Sequence, residues 1–494
     1  MLPDYSDHSV FMDLDTDNDI ETDKPQEACG VFGVLAAEGD VAKLVYFGLY
    51  ALQHRGQESA GITVYDAQGN THTHKAMGLV SQIFNETILS ELKGSLAIGH
   101  NRYSTTGSSK ICNAQPIVVN TRLGDFSLAH NGNLVNATEL RGELSAQGHA
   151  LESTTDSEGI AFAVGEAVEA GKDWQEAIIA ALHRCEGAFS LVMAMPNAIA
   201  GARDAYGVRP LVIGKTEDGS YVLSSETCGL DIIGAEYVRE VLPGELVIIT
   251  LENGIESWQW TESKPKLCVF EMIYFARPDS VMHGESLYTY RMRIGALLAK
   301  ESFVDADIVI GIPDSGIPAA IGFSRASGIP YAEGLIKNRY VGRTFIQPTQ
   351  AMRESGIKMK LNPLKDVLQG KRVIVIDDSI VRGTTSRKIV RALREAGATE
   401  VHMRISSPPV THPCFYGIDT DSQDHLIAAK KAVSAIAEQI EVDTLAYLSH
   451  DGMLEATQID TTQFCTACFT GKYPIAVPDK LKRTKLMLEE TTSA

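Results

Sequence analysis

Residues 372–386 constrain the fold of this chain more than any other stretch. Four consecutive apolar β-branched residues, 373–376, are followed by Asp377 and Asp378, then by a small, hydroxylic loop and a helical pattern over residues 386–396. Such a run is typical of a central strand in a parallel sheet, buried on both faces. Ligands bind at the carboxyl ends of such strands, where N–H groups of the loop and helix start bind phosphate. The two carboxylates can bind ribose hydroxyls and a hydrated magnesium ion.

This segment resembles the phosphoribosyl pyrophosphate (PRPP) motif of the type I phosphoribosyltransferase family, and it lacks the Gly-Lys-Ser/Thr ending of a P-loop. Residues 309–316 repeat the strand–loop–helix pattern and resemble the pyrophosphate loop of that family. Residues 337–344 are basic; as a lid they would hold cations over pyrophosphate, and a solvated surface is the plain alternative. The PRPP-binding residues that the resemblance implies are Lys337, Asp377, Asp378, Ser379, Val381, Arg382, Gly383, Thr384 and Thr385. The implied Mg²⁺ ligands are Ser315, Asp377 and Asp378.

Length and charge exclude several classes of protein. A chain of 494 residues is too long for one hydrophobic core, so we expect two or three domains. The formal net charge of −19 argues against a general nucleic-acid binder. The sequence has no apolar run long enough to predict a membrane span. Eight cysteines without a secretory signal predict a reducing, cytoplasmic location rather than a disulfide framework.

Between residues 29 and 262, short strand-like runs dominate and helical patterns separate some of them. This mixture predicts an α+β domain with two packed sheets covered by helices. The predicted strands are 30–35, 61–64, 96–99, 126–129, 189–194, 221–224 and 245–250, and the predicted helices are 41–52, 134–147, 157–170 and 174–182.

Four polar clusters in this half fit one hydrolytic site, although each has an ordinary structural explanation as well. Cys29 precedes a strand, Arg102 and the pair Asn131-Gly132 follow predicted strand ends, and Asp156 opens a helix. Asn-Gly is also a common tight turn, and Asp is a common helix N-cap. Hydrolysis of a carboxamide needs a nucleophile, which Cys29 can supply, and oxyanion donors, which Asn131 and Gly132 can supply. Arg102 and Asp156 match the carboxylate and ammonium of a free amino acid, which points to glutamine.

The same clusters, together with residues 53–61, resemble the class II glutamine amidotransferase family, an N-terminal-nucleophile fold. The resemblance implies an αββα sandwich in which Cys29 is the nucleophile after a propeptide is removed. Residues 1–28 carry nine acidic side chains and one lysine, so they fit either a solvating tail or that propeptide. An α-amino group freed at Cys29, with a pKa of about 8, could act as the base. Ala205 stands where the family usually has proline, at a turn.

A glutaminase half followed by a phosphoribosyltransferase half resembles the glutamine PRPP amidotransferase family, and residues 270–280 resemble its signature at the domain junction. The resemblance implies that ammonia from glutamine passes internally to C1 of PRPP and gives 5-phosphoribosylamine, the committed step of purine synthesis. It also implies a homotetramer that purine nucleotides inhibit. One alternative is another glutamine-dependent amidotransferase of the sugar-isomerase type, which residues 377–385 argue against. The other is a PRPP-sensing regulator, which would need a DNA-binding extension.

Four cysteines suggest a further group. Cys465 and Cys468 have chelate spacing, whereas Cys268 and Cys414 are distant in sequence. From spacing alone zinc, an iron–sulfur cluster and no metal all stay open, with zinc favoured. One branch of the family has both a propeptide and a 4Fe–4S cluster at matching cysteines, so the resemblance implies a structural cluster. Cys112, Cys185 and Cys228 are expected to be ordinary thiols.

These observations divide the chain into four parts. The parts are an acidic propeptide (1–28), a glutaminase domain (29–262), a phosphoribosyltransferase domain (263–470) and a C-terminal tail (471–494). The basic run 480–485 in the tail is expected to be a solvated helix face without a function.

Overall fold

The computed structural model describes residues 29–37, 39–103, 108–338, 361–420 and 422–478. The predicted propeptide, the basic segment beyond Asn338 and the basic run of the tail therefore lie outside the described residues. The strands are β1 (Gly30–Leu35), β2 (Ser59–Tyr65), β3 (Thr71–Met77), β4 (Leu96–Arg102), β5 (Ile117–Thr121), β6 (Gly124–Leu134), β7 (Gly187–Met195), β8 (Ala198–Arg203), β9 (Val212–Lys215), β10 (Tyr221–Ser224), β11 (Glu236–Glu240), β12 (Glu245–Thr250), β13 (Gly254–Gln259), β14 (Leu267–Cys268), β15 (Val281–Met282), β16 (Glu285–Ser286), β17 (Ile308–Gly311), β18 (Leu335–Lys337), β19 (Leu361–Pro363), β20 (Arg372–Asp377), β21 (Glu400–Ile405), β22 (Thr444–Tyr447) and β23 (Phe464–Cys465). The helices are α1 (Val41–Ala51), α2 (Val80–Ile83), α3 (Glu86–Glu91), α4 (Ala137–Ala146), α5 (Asp156–Glu169), α6 (Trp174–Leu182), α7 (Cys228–Asp231), α8 (Leu287–Glu301), α9 (Ile317–Ser327), α10 (Lys365–Leu368), α11 (Thr384–Glu395), α12 (Ile427–Lys430), α13 (Val433–Ile440), α14 (His450–Glu455) and α15 (Ala467–Thr470).

Two antiparallel sheets face each other in the N-terminal half. The first has the order β11-β9-β10-β1-β4-β2-β3, and the second has the order β13-β12-β8-β7-β6-β5. Apolar side chains of both sheets, including Val31, Ile98 and Val192, form the core between them. Helix α1 packs on the outer face of the first sheet and α4, α5 and α6 pack on the second. The predicted αββα sandwich is confirmed. It also explains why every residue of β1 is buried, since both of its faces are covered.

Two of the predicted loop clusters are wrong, because the structure places them inside strands. His100 to Arg102 end β4, and Asn131 and Gly132 lie within β6, where they pair with Ser190 and Phe189 of β7. Pairing with neighbouring strands overrides the local turn preference of Asn-Gly. Glycine is required at position 132, because φ is +152° and a Cβ would lie 2.0 Å from the Ala188 carbonyl oxygen.

A parallel sheet of the order β17-β20-β21-β22 forms the centre of the C-terminal half. Helices α8 and α9 cover one face, and α11 and α13 cover the other. The predicted buried strand is β20, whose residues 373–377 are all buried. The predicted helix after it is α11, which begins two residues earlier than expected, directly after Gly383 at φ +82°. The α/β prediction for this half is confirmed.

The end of the chain returns to the junction between the two halves. Strand β14 lies just after residue 262 and pairs in parallel with β23, so that Cys268 is opposite Cys465. Within the described ranges, no helix combines the length and the apolar character that a membrane span requires.

Candidate active sites

Cys29 lies at the start of β1, where the two sheets of the sandwich end. Its thiol is buried and donates a hydrogen bond to the Tyr103 carbonyl oxygen at 3.3 Å. Burial raises the pKa of this thiol, and the positive charge of Arg102 offsets only part of the rise. The thiol is therefore protonated near neutral pH, so a reaction at Cys29 needs a base to take the proton.

Arg102 and Asp156 present opposite charges to Cys29. Arg102 ends β4 next to Cys29 and donates to Glu58 and, at 3.1 Å, to the Ser108 carbonyl oxygen. Gly30 of β1 pairs with Asn101 of β4, so Cys29 lies beside Arg102 at this end of the sheet. The charges of Arg102, Glu58 and Asp156 all act on the pKa of the Cys29 thiol. The predicted nucleophile and the two groups predicted to bind an amino acid therefore belong to one region of the domain.

Asp156 is held as a buried carboxylate at the start of α5. Its Oδ2 accepts a hydrogen bond from the Leu134 N–H at 2.9 Å, and its Oδ1 lies 3.6 Å from Nδ1 of His130. Burial by itself would raise the pKa of Asp156, but His130 and the N–H donors lower it below the ordinary value. The charge that the predicted role requires is therefore present at neutral pH.

Asn131 has an unusual environment for a buried amide. Both polar atoms of its side chain are buried, and neither has a hydrogen-bond partner among the residues that the structure describes. A buried amide without protein partners costs free energy, so this side chain is available to bind a ligand atom or a water molecule. His130 precedes Asn131 in β6 and has a hydrogen-bond partner on each side. Its carbonyl oxygen lies 3.0 Å from Nε2 of His100 in β4, and its Nδ1 lies 3.1 Å from the Ser157 hydroxyl. Asn131 and Gly132 therefore lie beside the end of β4 that carries Arg102.

Sequence reasoning missed several residues of this site. Residues 53–61 were recognised as a polar segment, but no role was predicted for Arg55 or Glu58. Arg55 donates from Nε to the Cys29 carbonyl oxygen at 3.2 Å, and Glu58 accepts from Arg102. The one feature of the sequence that could have identified them is that they are charged residues in a polar segment with glycines. Their bonding partners are distant in sequence and become known only from the fold.

The second site lies at the carboxyl end of β20. Asp377 and Asp378 are buried; Oδ2 of Asp378 accepts from the Ser315 hydroxyl at 2.5 Å and its Oδ1 accepts from the Ser379 hydroxyl at 2.8 Å. Ser315 comes from the loop after β17, the parallel neighbour of β20. Gly316 keeps this loop close, since a Cβ there would lie 2.4 Å from the Ile376 carbonyl oxygen. Hydroxyl and carboxylate oxygens in one cluster are the ligands that Mg²⁺ prefers, so the predicted ligand set fits the ion.

The remaining predicted PRPP-binding residues lie in the loop after β20, in the first turn of α11 and at the end of β18. Val381 is buried in the loop, Gly383 precedes α11, and Thr384 and Thr385 form the first turn of that helix. Arg382 is half-buried in the same loop. Lys337 ends β18 and donates to Asp314 of the β17 loop at 2.9 Å, so it lies beside the predicted pyrophosphate loop. The structure thus groups the residues that the sequence predicted.

Four distant cysteines converge at the junction. Cys268, Cys414, Cys465 and Cys468 are buried free thiols that line one pocket, together with Tyr416 and other largely apolar side chains. Burial raises the pKa of Cys268 to about 12 and raises the pKa of Cys468 well above its ordinary value. In the described part of the chain, no three His, Cys, Asp or Glu side chains are arranged around a single metal ion. Four thiols that line one pocket are a donor set that suits either an iron–sulfur cluster or a structural zinc ion.

Two family models match this chain, one in each half. A glutamine amidotransferase domain matches residues 100–231, and a phosphoribosyl transferase domain matches residues 288–406. Curated relatives match over nearly the whole chain. The amidophosphoribosyltransferase of Synechococcus elongatus is 68% identical over 486 residues, covering 97% of this chain and 98% of the relative. That of Synechocystis sp. is 67% identical and covers 100% of both, and that of Mycobacterium tuberculosis is 50% identical and covers 95% of this chain and 90% of the relative.

Two solved structures share this architecture. The glutamine PRPP amidotransferase from B. subtilis, complexed with ADP and GMP, superposes with a TM-score of 0.86 at 46% identity and covers 92% of this chain and 98% of its own. A structure described as the allosteric regulatory enzyme of purine biosynthesis gives a TM-score of 0.87, with the same identity and coverage.

Proposed function

Because the chain belongs to the amidophosphoribosyltransferase family, we propose that its two sites divide one reaction between them. The enzyme transfers ammonia from glutamine to C1 of PRPP and yields 5-phosphoribosylamine, glutamate and pyrophosphate, the first step of purine biosynthesis. The observation that carries the proposal is the position of the Cys29 thiol, beside the opposite charges of Arg102 and Asp156. The second site, at Asp377 and Asp378, then receives the ammonia.

Glutamine binds in the first site through its backbone charges. Arg102 binds the α-carboxylate and Asp156 binds the α-ammonium, which orients the side-chain amide toward Cys29. The thiol sulfur attacks the amide carbon, ammonia leaves, and water then releases glutamate from the thioester. Asn131, through its unpartnered side-chain amide, and the N–H of Gly132 stabilise the oxyanion.

The base in this proposal is the α-amino group of Cys29, freed when residues 1–28 are removed. The raised pKa of the buried thiol supports the need for it, because a protonated thiol is a poor nucleophile. An α-amine, with a pKa of about 8, is partly unprotonated near neutrality and can accept the thiol proton.

In the second site, Asp377 and Asp378 bind the ribose of PRPP and, with Ser315, hold Mg²⁺. The loop from Ser379 to Gly383 and the first turn of α11 bind the 5-phosphate through N–H groups and hydroxyls. Lys337 places a positive charge beside the pyrophosphate loop. When bound, Mg²⁺ neutralises charge on the pyrophosphate leaving group. An internal, dry passage for ammonia is chemically sensible, because ammonia in water at neutral pH is mostly protonated and the protonated form is not nucleophilic.

Three further features belong to the proposal. The four thiols at the junction hold a 4Fe–4S cluster that fastens residues 464–468 to the start of the second half. The enzyme is a cytoplasmic homotetramer. Purine nucleotides inhibit it, a proposal supported by the relative that was solved with ADP and GMP.

Product stoichiometry tests the function. With glutamine, PRPP and Mg²⁺ present, the purified enzyme is expected to release glutamate and pyrophosphate in equal amounts. An amidotransferase for another acceptor would release glutamate without pyrophosphate, and a PRPP-sensing regulator would release neither. Either of those results contradicts the proposal.

A further inference from the structure

Four charged side chains form a buried network beneath Cys29, and His54 joins it at Glu226. Arg55, Arg209, Glu226 and Glu271 are each no more than 1% exposed. Glu271 lies at the centre: it accepts from Arg55 Nη2 at 2.7 Å and from Arg209 Nη1 at 2.9 Å. Two positive and two negative charges balance within the network.

One end of the network contacts the backbone of the nucleophile. Arg55 donates from Nε to the Cys29 carbonyl oxygen at 3.2 Å, while its Nη1 donates to Glu226 at 2.5 Å and to Glu271 at 3.0 Å. The guanidinium is planar, so its two carboxylate partners, Glu226 and Glu271, together set the direction of the bond to Cys29.

The other end contacts the segment behind the proposed oxyanion site. Arg209 donates from Nε and Nη2 to the Tyr416 carbonyl oxygen at 3.0 and 2.8 Å. The neighbours of Tyr416 contact β6 directly. Phe415 accepts at its carbonyl oxygen from the Asn133 side chain at 3.1 Å. Gly417, at φ +98°, lies so close to the Gly132 backbone that a Cβ there would be 3.0 Å from it.

We propose that Glu271, which follows the glutaminase half in sequence, is a positioning residue for glutamine hydrolysis. By joining Arg55 to Arg209 through one carboxylate, it fixes the Cys29 backbone relative to the segment that supports Gly132. This inference rests on the proposed role of Cys29 as nucleophile. Among the described residues, its carboxylate bonds to Arg55 and Arg209 rather than to Arg102 or Asp156, so it acts on the geometry of attack and not on the binding of glutamine.

The physical basis is the burial of a fixed set of charges. Burial by itself would raise the pKa of Glu271, but Arg55 and Arg209 lower it, so the group is a carboxylate. If one charge is removed, the arginines must find new partners inside the protein, because solvent cannot replace it. A displacement of about 1 Å at a reacting centre can slow chemistry by about 100-fold while leaving substrate contacts in place.

Glu271→Gln tests the proposal, since it keeps the shape of the side chain and removes its charge. We expect kcat for glutamine hydrolysis to fall by about 10- to 100-fold, with KM for glutamine within about twofold of wild type. Ammonia-dependent pyrophosphate release by the same preparation is expected to be retained. The ratio of the two activities is independent of the folded fraction, because unfolded protein contributes to neither.

The matched control is Glu245→Gln. Glu245 is also buried and accepts two bonds from Arg239, both at 2.9 Å, but it belongs to a different charge pair without contact to Cys29. Its activity ratio is expected to equal that of wild type. Glu271→Asp is a second variant; its shorter carboxylate keeps the charge but cannot reach both arginines, so its ratio is expected to lie between those of wild type and Glu271→Gln.

The outcomes separate this inference from the proposed function. A wild-type ratio in Glu271→Gln, or a parallel loss of both activities in Glu271→Gln and Glu271→Asp, overturns the inference, because Glu271 then has no effect or only a structural one. A rise in KM at constant kcat also overturns it. Cys29→Ala is measured in the same assays. If that variant still hydrolyses glutamine, the proposed role of Cys29 is contradicted, whatever the result for Glu271.

Discussion

The buried Arg102 and the partly buried Glu58 form an ion pair at the end of β4, and this pair orients the guanidinium for an anionic ligand. Arg102→Lys keeps the charge but not the planar, forked donors that can contact Glu58, the Ser108 carbonyl oxygen and a carboxylate together. We expect KM for glutamine to rise about tenfold or more, equivalent to about 1.4 kcal/mol, with kcat nearly unchanged. Arg239→Lys, in an ion pair away from the site, is the control. An unchanged KM for glutamine would show that Arg102 does not bind glutamine.

His100, two residues before Arg102 in β4, predicts a pH effect on stability. Burial lowers its pKa to about 3, and neutral His100 can donate from Nε2 to the His130 carbonyl oxygen. An unfolded histidine has a pKa of about 6.5. As the pH falls from about 6.5 toward 3, the unfolded state therefore takes up a proton that the folded state does not, and stability is lost in that window.

His100→Gln removes the titration and keeps a donor. Between pH 7.5 and 5.5, wild type is expected to lose about 1 kcal/mol of stability relative to His100→Gln, as measured by urea denaturation. Between pH 8.5 and 7.5 the two proteins are expected to change in parallel, which is the internal control. Parallel behaviour down to pH 5.5 would show that His100 titrates normally in the folded state.

At the scale of elements, β20 and its loop were the most predictable part of the molecule. An apolar run that ends in acidic residues is typical of the central strand of a parallel sheet. The position of residues 377–385 at the carboxyl end of that strand could therefore be predicted from the sequence alone. The strands β1, β10 and β12 also begin and end where the sequence predicted. Strand β6 was predicted too short. The dipeptide Asn131-Gly132 favours a tight turn, and only its pairing with β7 makes it part of a strand.

Asp377→Asn tests the assignment of that strand end. Loss of a carboxylate from the ribose and Mg²⁺ cluster is expected to reduce PRPP-dependent pyrophosphate release by about 100-fold or more, since charged interactions of about 3 kcal/mol are lost. Glutamate release from glutamine alone is expected to stay within about twofold of wild type. Asp307→Asn is the control, because Asp307 binds Arg372 at the opposite end of the same strand. If the two variants release pyrophosphate at equal rates, Asp377 is not part of the PRPP site.

At the scale of the whole molecule, the two halves meet through contacts that no sequence pattern reveals. Glu271 joins Arg55 and Arg209 across 216 and 62 residues, and Arg209 reaches Tyr416 across 207 residues. Periodicity reports only neighbours in one element. The residues of each site could thus be predicted from motifs, whereas the charge network between the nucleophile and the second half could not.

The four-thiol pocket is the other long-range feature. We expect protein purified without oxygen to contain about four iron and four sulfide per chain, as a 4Fe–4S cluster requires, and to absorb visible light. Cys465→Ser is expected to lose the iron and to lower the unfolding temperature, because the link between β14 and β23 loosens. Cys185→Ser, at a thiol outside the pocket, is the control. One zinc per chain, or no metal, would contradict the cluster.

The central claim is that Cys29 generates ammonia for a separate PRPP site, and Cys29→Ala tests it most directly. The measurement is pyrophosphate release from PRPP with glutamine and, separately, with an ammonium salt as the nitrogen source. Cys228→Ala, at another buried cysteine of the same half, is the matched control. The account predicts that Cys29→Ala loses the glutamine-dependent rate by about 1,000-fold or more and keeps the ammonia-dependent rate. Equal loss of both rates, or glutamine-dependent release that persists, would contradict it.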